Sequence, residues 1–165
     1  STFVQRKLAP VDALVLSSPA LDTGLGSLRR WLIALALRFA PDAALANGLD
    51  ASKISHDAGA VQAYRKDRRV HDRISARLAR FLAQGGPQVL ARAGSWSVPS
   101  LLLWAGDDRL VAPAGSQAFS DRAPPAVVQA QCFDGAYHEL FNESDAFAAP
   151  VFARLRQWLG RFSPA

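Results

Sequence analysis

One cysteine, Cys132, stands among 165 residues, so no disulfide can form within the chain, and neither it nor the three histidines pair at zinc-ligand spacing. A disulfide framework and a structural metal are thereby excluded, and packing has to hold the fold together. Long apolar runs are missing as well. The most apolar stretch, Trp31 to Leu37, lies between Arg30 and Arg38 and falls far short of the roughly twenty residues that cross a bilayer. The chain shows no leader of charged then apolar residues, and a cytoplasmic location is the expectation. There is no internal repeat and no low-complexity tract. Residue 1 is Ser, not Met, and Ser1 to Lys7 reads as the last turns of a helix already under way. The expectation is a chain that starts inside a larger structure.

A concentrated stripe of positive charge is also lacking, although the formal net charge is +5. Arg29-Arg30, Lys66, Arg68-Arg69, Arg73, Arg77 and Arg80 are scattered and mixed with Asp67 and Asp72. That pattern is a solvated helical surface, and nucleic acid is not an expected partner.

What is present is apolar content of 50%, enough for one buried core. Three short apolar runs read as strands: Ala13 to Leu16, Leu101 to Trp104, and Val127-Val128 through Cys132-Phe133. The first two are continuously apolar, the mark of strands covered on both faces in a mainly parallel sheet. Ser116 to Arg122 reads as a short helix between the second and third strands. Val151, Phe152, Leu155, Trp158, Leu159 and Phe162 mark a closing helix, with Pro150 suited to its first turn.

Between the first and second strands, Leu21 to Ser97 offers helical segments and no convincing strand. Leu28, Trp31, Leu32, Leu35 and Phe39 mark one helix, apolar over most of its circumference and expected to pack in a core, to line a substrate tunnel or to meet a lipid surface. Ile74, Leu78, Phe81 and Leu82 mark another, with Gly85-Gly86 as its stop. The stretch is too long for a simple crossover. The expected organisation is an α/β core from residues 1–22 and 86–165, with a helical cap at 23–85.

The last two strands each run into a polar cluster, Gly106-Asp107-Asp108-Arg109 and Asp134-Gly135-Ala136-Tyr137-His138-Glu139. The carboxyl edge of an open α/β sheet is where ligands and catalytic groups gather. An acid on one strand end followed by a histidine on the next is the chain order of the last two members of a Ser-acid-His triad, in which the carboxylate sets the imidazole tautomer and the imidazole activates a serine. His56 and His71 lack that context and read as surface or cap residues.

Four stretches together resemble the monoacylglycerol lipase and lysophospholipase branch of the α/β-hydrolases, the serine aminopeptidase S33 or hydrolase-4 group. They are Leu14-Val15-Leu16-Ser17-Ser18-Pro19-Ala20-Leu21; the cap residues Asn47 to Asp50, Ala63 to Arg65 and Val70 to Arg77; Pro99 to Val111; and Gly135 to Glu139. The resemblance implies the C-terminal part of an α/β-hydrolase fold, its last three parallel strands with flanking helices, plus an inserted helical cap. It makes His138 the general base, and it favours Asp108 over the adjacent Asp107 as the acid because the family's acid directly precedes Arg-Leu or Arg-Ile.

The same resemblance implies hydrolysis of a small acyl ester or lipid, with no metal or organic cofactor. Peptidase, thioesterase or haloalkane-type activities on the same fold are the alternatives, as is a non-catalytic binding module that self-associates through an exposed sheet edge. Peripheral contact with lipid through the cap is a further expectation. Two departures accompany it: Asp67-Arg68-Arg69 stands where the family usually has Asp-Pro-Leu, and Gly-x-Ser-x-Gly occurs nowhere in the chain. Ser17 and Ser18 read as turn residues at a strand end and not as a nucleophile elbow. The isolated polypeptide is therefore expected to be inactive, its serine lying in a missing N-terminal half.

Overall fold

A computed structural model describes residues 2–162; Ser1 and residues 163–165 of the expected core span lie outside the described residues. The chain starts with a short helix, α1 (Thr2–Gln5), and enters the sheet as β1 (Leu14–Ser17). The excursion that follows contains α2 (Ser27–Phe39), β2 (Ala44–Ala46), α3 (Ala58–Lys66), β3 (Arg73–Ser75) and the start of α4 (Ala76–Ala91). The chain then returns as β4 (Ser100–Ala105), α5 (Pro113–Arg122), β5 (Val128–Phe133) and α6 (Asp145–Leu159).

The sheet is parallel in the order β1-β4-β5, with Leu14 opposite Ser100 and Ala105 opposite Phe133. Side chains alternate between its faces. Leu16, Leu102, Trp104 and Val128 join a core with Val89, Phe119 and Trp96, while Leu101, Leu103 and Ala105 join a second core with Val151, Trp158 and Leu140. Every residue of β4 is buried, which is why that strand reads as an uninterrupted apolar run. Full burial of each leucine there contributes about 1.5–3 kcal/mol.

Four local expectations are corrected. The long excursion does contain strands: β2 and β3 pair antiparallel, with Leu45 opposite Ile74, and three-residue strands are too short to display an alternation. Ile74 thus belongs to β3 and not to the helix that its spacing with Leu78 suggests, and that helix starts after Ser75, whose hydroxyl accepts from the Leu78 amide at 3.2 Å.

Gly85-Gly86 does not stop α4, which continues to Ala91 and carries the expected boundary between residues 85 and 86 inside it. A Cβ on Gly86 would collide with the Leu21 carbonyl, so the glycine serves close approach and not termination. Pro150 lies inside α6 and not at its start, because the Phe147 and Ala148 amides already close the first turn onto the Ser144 carbonyl at 2.8 and 2.9 Å.

The fourth concerns α2. Core packing was one expectation, yet no residue of its described surface is buried; Ile33, Ala36 and Leu37 are half-buried, and α2 lies against α4. Leu28, Trp31, Leu32, Leu35 and Phe39 are 42–75% exposed. No helix among the described residues is long and apolar enough to cross a membrane.

Candidate active site

Because β4 and β5 are paired neighbours, the loops leaving their carboxyl ends emerge side by side. The Gly106 amide donates to the Phe133 carbonyl at 2.9 Å and the Asp107 amide to the Ala136 carbonyl at 3.1 Å. The second loop turns at Gly135, whose φ of +75° favours a residue without a Cβ. These contacts place Asp108 and His138 within reach of each other.

Oδ2 of Asp108 lies 2.7 Å from Nδ1 of His138. Oδ1 of the same carboxylate accepts from the Leu110 and Val111 amides at 2.8 and 3.0 Å. The Asp108 side chain is only 1% exposed, that of His138 27%. An ionised carboxylate is acceptor-only, so the proton between the two belongs to Nδ1, and the neutral ring keeps its lone pair on Nε2. The backbone amides hold the carboxylate while it holds the ring. An imidazole fixed in that tautomer can take a proton from a hydroxyl at Nε2 and return it to a leaving group.

The adjacent Asp107 points elsewhere, its Oδ2 accepting from the Arg109 guanidinium at 3.1 Å. Of the two carboxylates, only Asp108 bonds His138 among the described residues. Ser17 is exposed, and the buried Ser18 turns the chain with a φ of 38°. Its amide donates to the Leu103 carbonyl at 2.8 Å and its hydroxyl accepts from the Ala105 amide at 3.3 Å. Both observations fit turn residues. Among the described residues no cluster of His, Cys, Asp and Glu could hold a metal ion. His71 lies just before β3, where its Nδ1 accepts from the Arg73 amide at 3.3 Å.

The family is decided by sequence. The profile of the serine aminopeptidase S33 family matches residues 1–145. The chain belongs to that family. Its fold is part of an α/β-hydrolase fold.

Among relatives of this S33 member, a monoacylglycerol lipase of Mycolicibacterium smegmatis is 36% identical over 138 residues, which are 81% of this chain and 49% of that protein. An abhydrolase domain-containing protein of Dictyostelium discoideum is 35% identical over 121 residues, 72% of this chain and 13% of that one. The chain thus spans half or less of the length of these relatives. The crystal structure of a Paleococcus ferrophilus monoacylglycerol lipase superposes with a TM-score of 0.88 at 28% identity, over 98% of this chain and 63% of the other. A soluble variant of the Saccharomyces cerevisiae monoglyceride lipase, in complex with a substrate analogue, gives 0.83 at 21% identity over 99% and 57%; at that identity the likeness bears on fold alone.

His56 has an acid partner after all. Its Nδ1 lies 2.8 Å from Oε1 of the fully buried Glu143 side chain. The pair is 87 residues apart in sequence, and no periodicity or motif links its members; Glu143 stands among Glu139, Asn142, Ser144 and Asp145, and nothing in the sequence sets it apart from them.

Proposed function

We propose that this chain contributes the acid and the general base of a serine-esterase triad: Asp108 orients and charge-balances the imidazole, and His138 moves the proton. The reading is carried by the 2.7 Å contact between Asp108 Oδ2 and His138 Nδ1 at adjoining strand ends. The serine lies outside these 165 residues, since Gly-x-Ser-x-Gly is absent from them. Substrates are monoacylglycerols or lysophospholipids, and the names of the Mycolicibacterium and Paleococcus relatives favour the monoacylglycerols.

In the complete site the serine hydroxyl attacks the ester carbonyl while His138 Nε2 takes its proton. The tetrahedral intermediate collapses as the imidazolium returns that proton to the departing alcohol, leaving an acyl-enzyme. Water then repeats the sequence, His138 again acting as base and then acid, and releases the fatty acid. Acyl transfer of this kind calls for no metal or organic cofactor. Residues 23–85 act as a cap over the core, and the exposed apolar residues of α2 bring it to lipid.

A fluorophosphonate probe tests the reading. The isolated chain stays unlabelled, and the protein extended upstream through a Gly-x-Ser-x-Gly elbow is labelled at that serine, with labelling lost on His138→Ala. Stoichiometric labelling of the isolated chain would overturn the placement of the nucleophile. A non-catalytic module is favoured by one observation, that β1 has a sheet partner on one side only among the described residues, since an open strand edge invites pairing with another chain. Light scattering that finds a monomer counts against it.

A further inference from the structure

The backbone on both sides of His138 is fastened to a segment far away in sequence. The Tyr137 amide donates to Oε1 of Glu143 at 2.7 Å, and the Glu139 amide donates to the Ile54 carbonyl at 2.8 Å. Glu143 in turn grips the residues next to Ile54. It accepts from the His56 amide at 2.8 Å, from the His56 ring at 2.8 Å and from the Ser144 amide at 3.0 Å.

Ser55 Oγ also lies 3.3 Å from Glu143, but its one proton is better directed to the Asn142 carbonyl at 2.8 Å. Four donors, counting the Tyr137 amide, therefore match the four lone-pair sites of the carboxylate. The Tyr137 ring is held as well. It stacks on His56 with centroids 3.7 Å apart, and the Arg109 guanidinium stands 5.6 Å from its centroid. Arg109 is the residue that pairs with Asp107, so acid loop, histidine loop and cap segment meet at one aromatic ring.

A pair whose only task was to fasten the cap would have no need to reach Tyr137, the residue before the base, while Ile54, two residues before His56, takes the amide of the residue after the base. We propose that Glu143 and His56 are positioning residues for His138, fixing the backbone at Tyr137 directly and at Glu139 by way of the adjoining Ile54 carbonyl so that the ring meets Asp108, and making that alignment depend on the cap segment Ile54 to His56. This rests on the triad reading of Asp108 and His138. Neither positioning residue touches the reacting atoms.

The test uses the protein extended through its serine elbow, with kcat and KM measured on a soluble short-chain monoacyl ester. His56→Phe keeps a ring to stack on Tyr137 and removes the bond to Glu143; Glu143→Gln keeps the shape and removes the charge. Each lowers kcat about tenfold with KM within about twofold, because a small misplacement of a catalytic group costs turnover before it costs binding. Each also weakens the low-field imidazole proton signal of His138, identified as the resonance that Asp108→Asn abolishes. Unchanged kcat and an unchanged signal in folded His56→Phe, alongside a large loss in Asp108→Asn, overturn the positioning role and leave the triad standing. Full turnover in Asp108→Asn removes the triad reading itself. Should Glu143→Gln fail to fold, His56→Phe decides.

Discussion

Asp107 and Asp108 are joined by one peptide bond and face different surroundings: Asp107 is about half exposed beside Arg109, and Asp108 is 1% exposed against His138. Their substitutions should separate accordingly. In the protein that carries the serine, Asp108→Asn lowers kcat by roughly four orders of magnitude, the size seen when a triad acid loses its charge and the imidazole takes the wrong tautomer. Asp107→Asn stays within about threefold, since it alters a solvent-screened surface pair. Equal losses in the two variants would remove the distinction between them.

Gly86 lies where α4 meets the turn that follows β1. With backbone in the way of a Cβ, Gly86→Ala has to push α4 and the buried Leu21 apart and should cost about 3 kcal/mol or more. Gly160 has open space around its Cβ direction, and Gly160→Ala should be neutral or stabilising by up to about 1 kcal/mol. Urea unfolding of both variants reads the contrast.

That contrast also marks the limit of what the sequence displayed. β4 was legible because burial on both faces demands an unbroken apolar run, and Asp108 and His138 stood out because each lies in the polar loop that follows a strand. Gly85-Gly86 looked like a helix stop because a glycine required by a neighbouring backbone is written with the same letter as one required by a turn. The His56–Glu143 pair was illegible for a different reason, as long-range hydrogen bonds leave no periodicity. The exposure of α2 could not be read either, because an apolar helix face records the need for a partner and not whether one is present.

Acid should expose the role of Glu143. Burial pushes its carboxyl up, but the Tyr137 and His56 amides, the His56 ring and the Ser144 amide outweigh that and hold it below its ordinary 4.5. The folded value is the lower one, so the stabilisation is present in full above the unfolded value and is lost as pH falls through the folded value. Glu143→Gln should cost about 2 kcal/mol near neutral pH. The difference from wild type should shrink steadily below pH 4.5. Thermal unfolding curves that remain parallel through that range would mean Glu143 carries no such charge-dependent contribution.

The apolar residues of α2 fall at spacings of four, three and four from Leu28 through Leu32 and Leu35 to Phe39, with Trp31 one turn from Leu35, and so form a single stripe along the helix. Arg29 and Arg38 are exposed on the same helix, giving it positive charge for an anionic headgroup layer. Burying one such side chain in a lipid interface contributes about 1.5–3 kcal/mol, so the double substitution Trp31→Ser and Leu35→Ser should lower partitioning onto phosphatidylglycerol-containing vesicles by tenfold or more, about 1.4 kcal/mol being needed per decade. Raising salt should weaken binding of the unsubstituted chain only in part, because the apolar term is unscreened. Co-sedimentation that is indifferent to both serines would instead leave the stripe as a face that covers, or is covered by, protein, and light scattering of the same samples would tell the two apart.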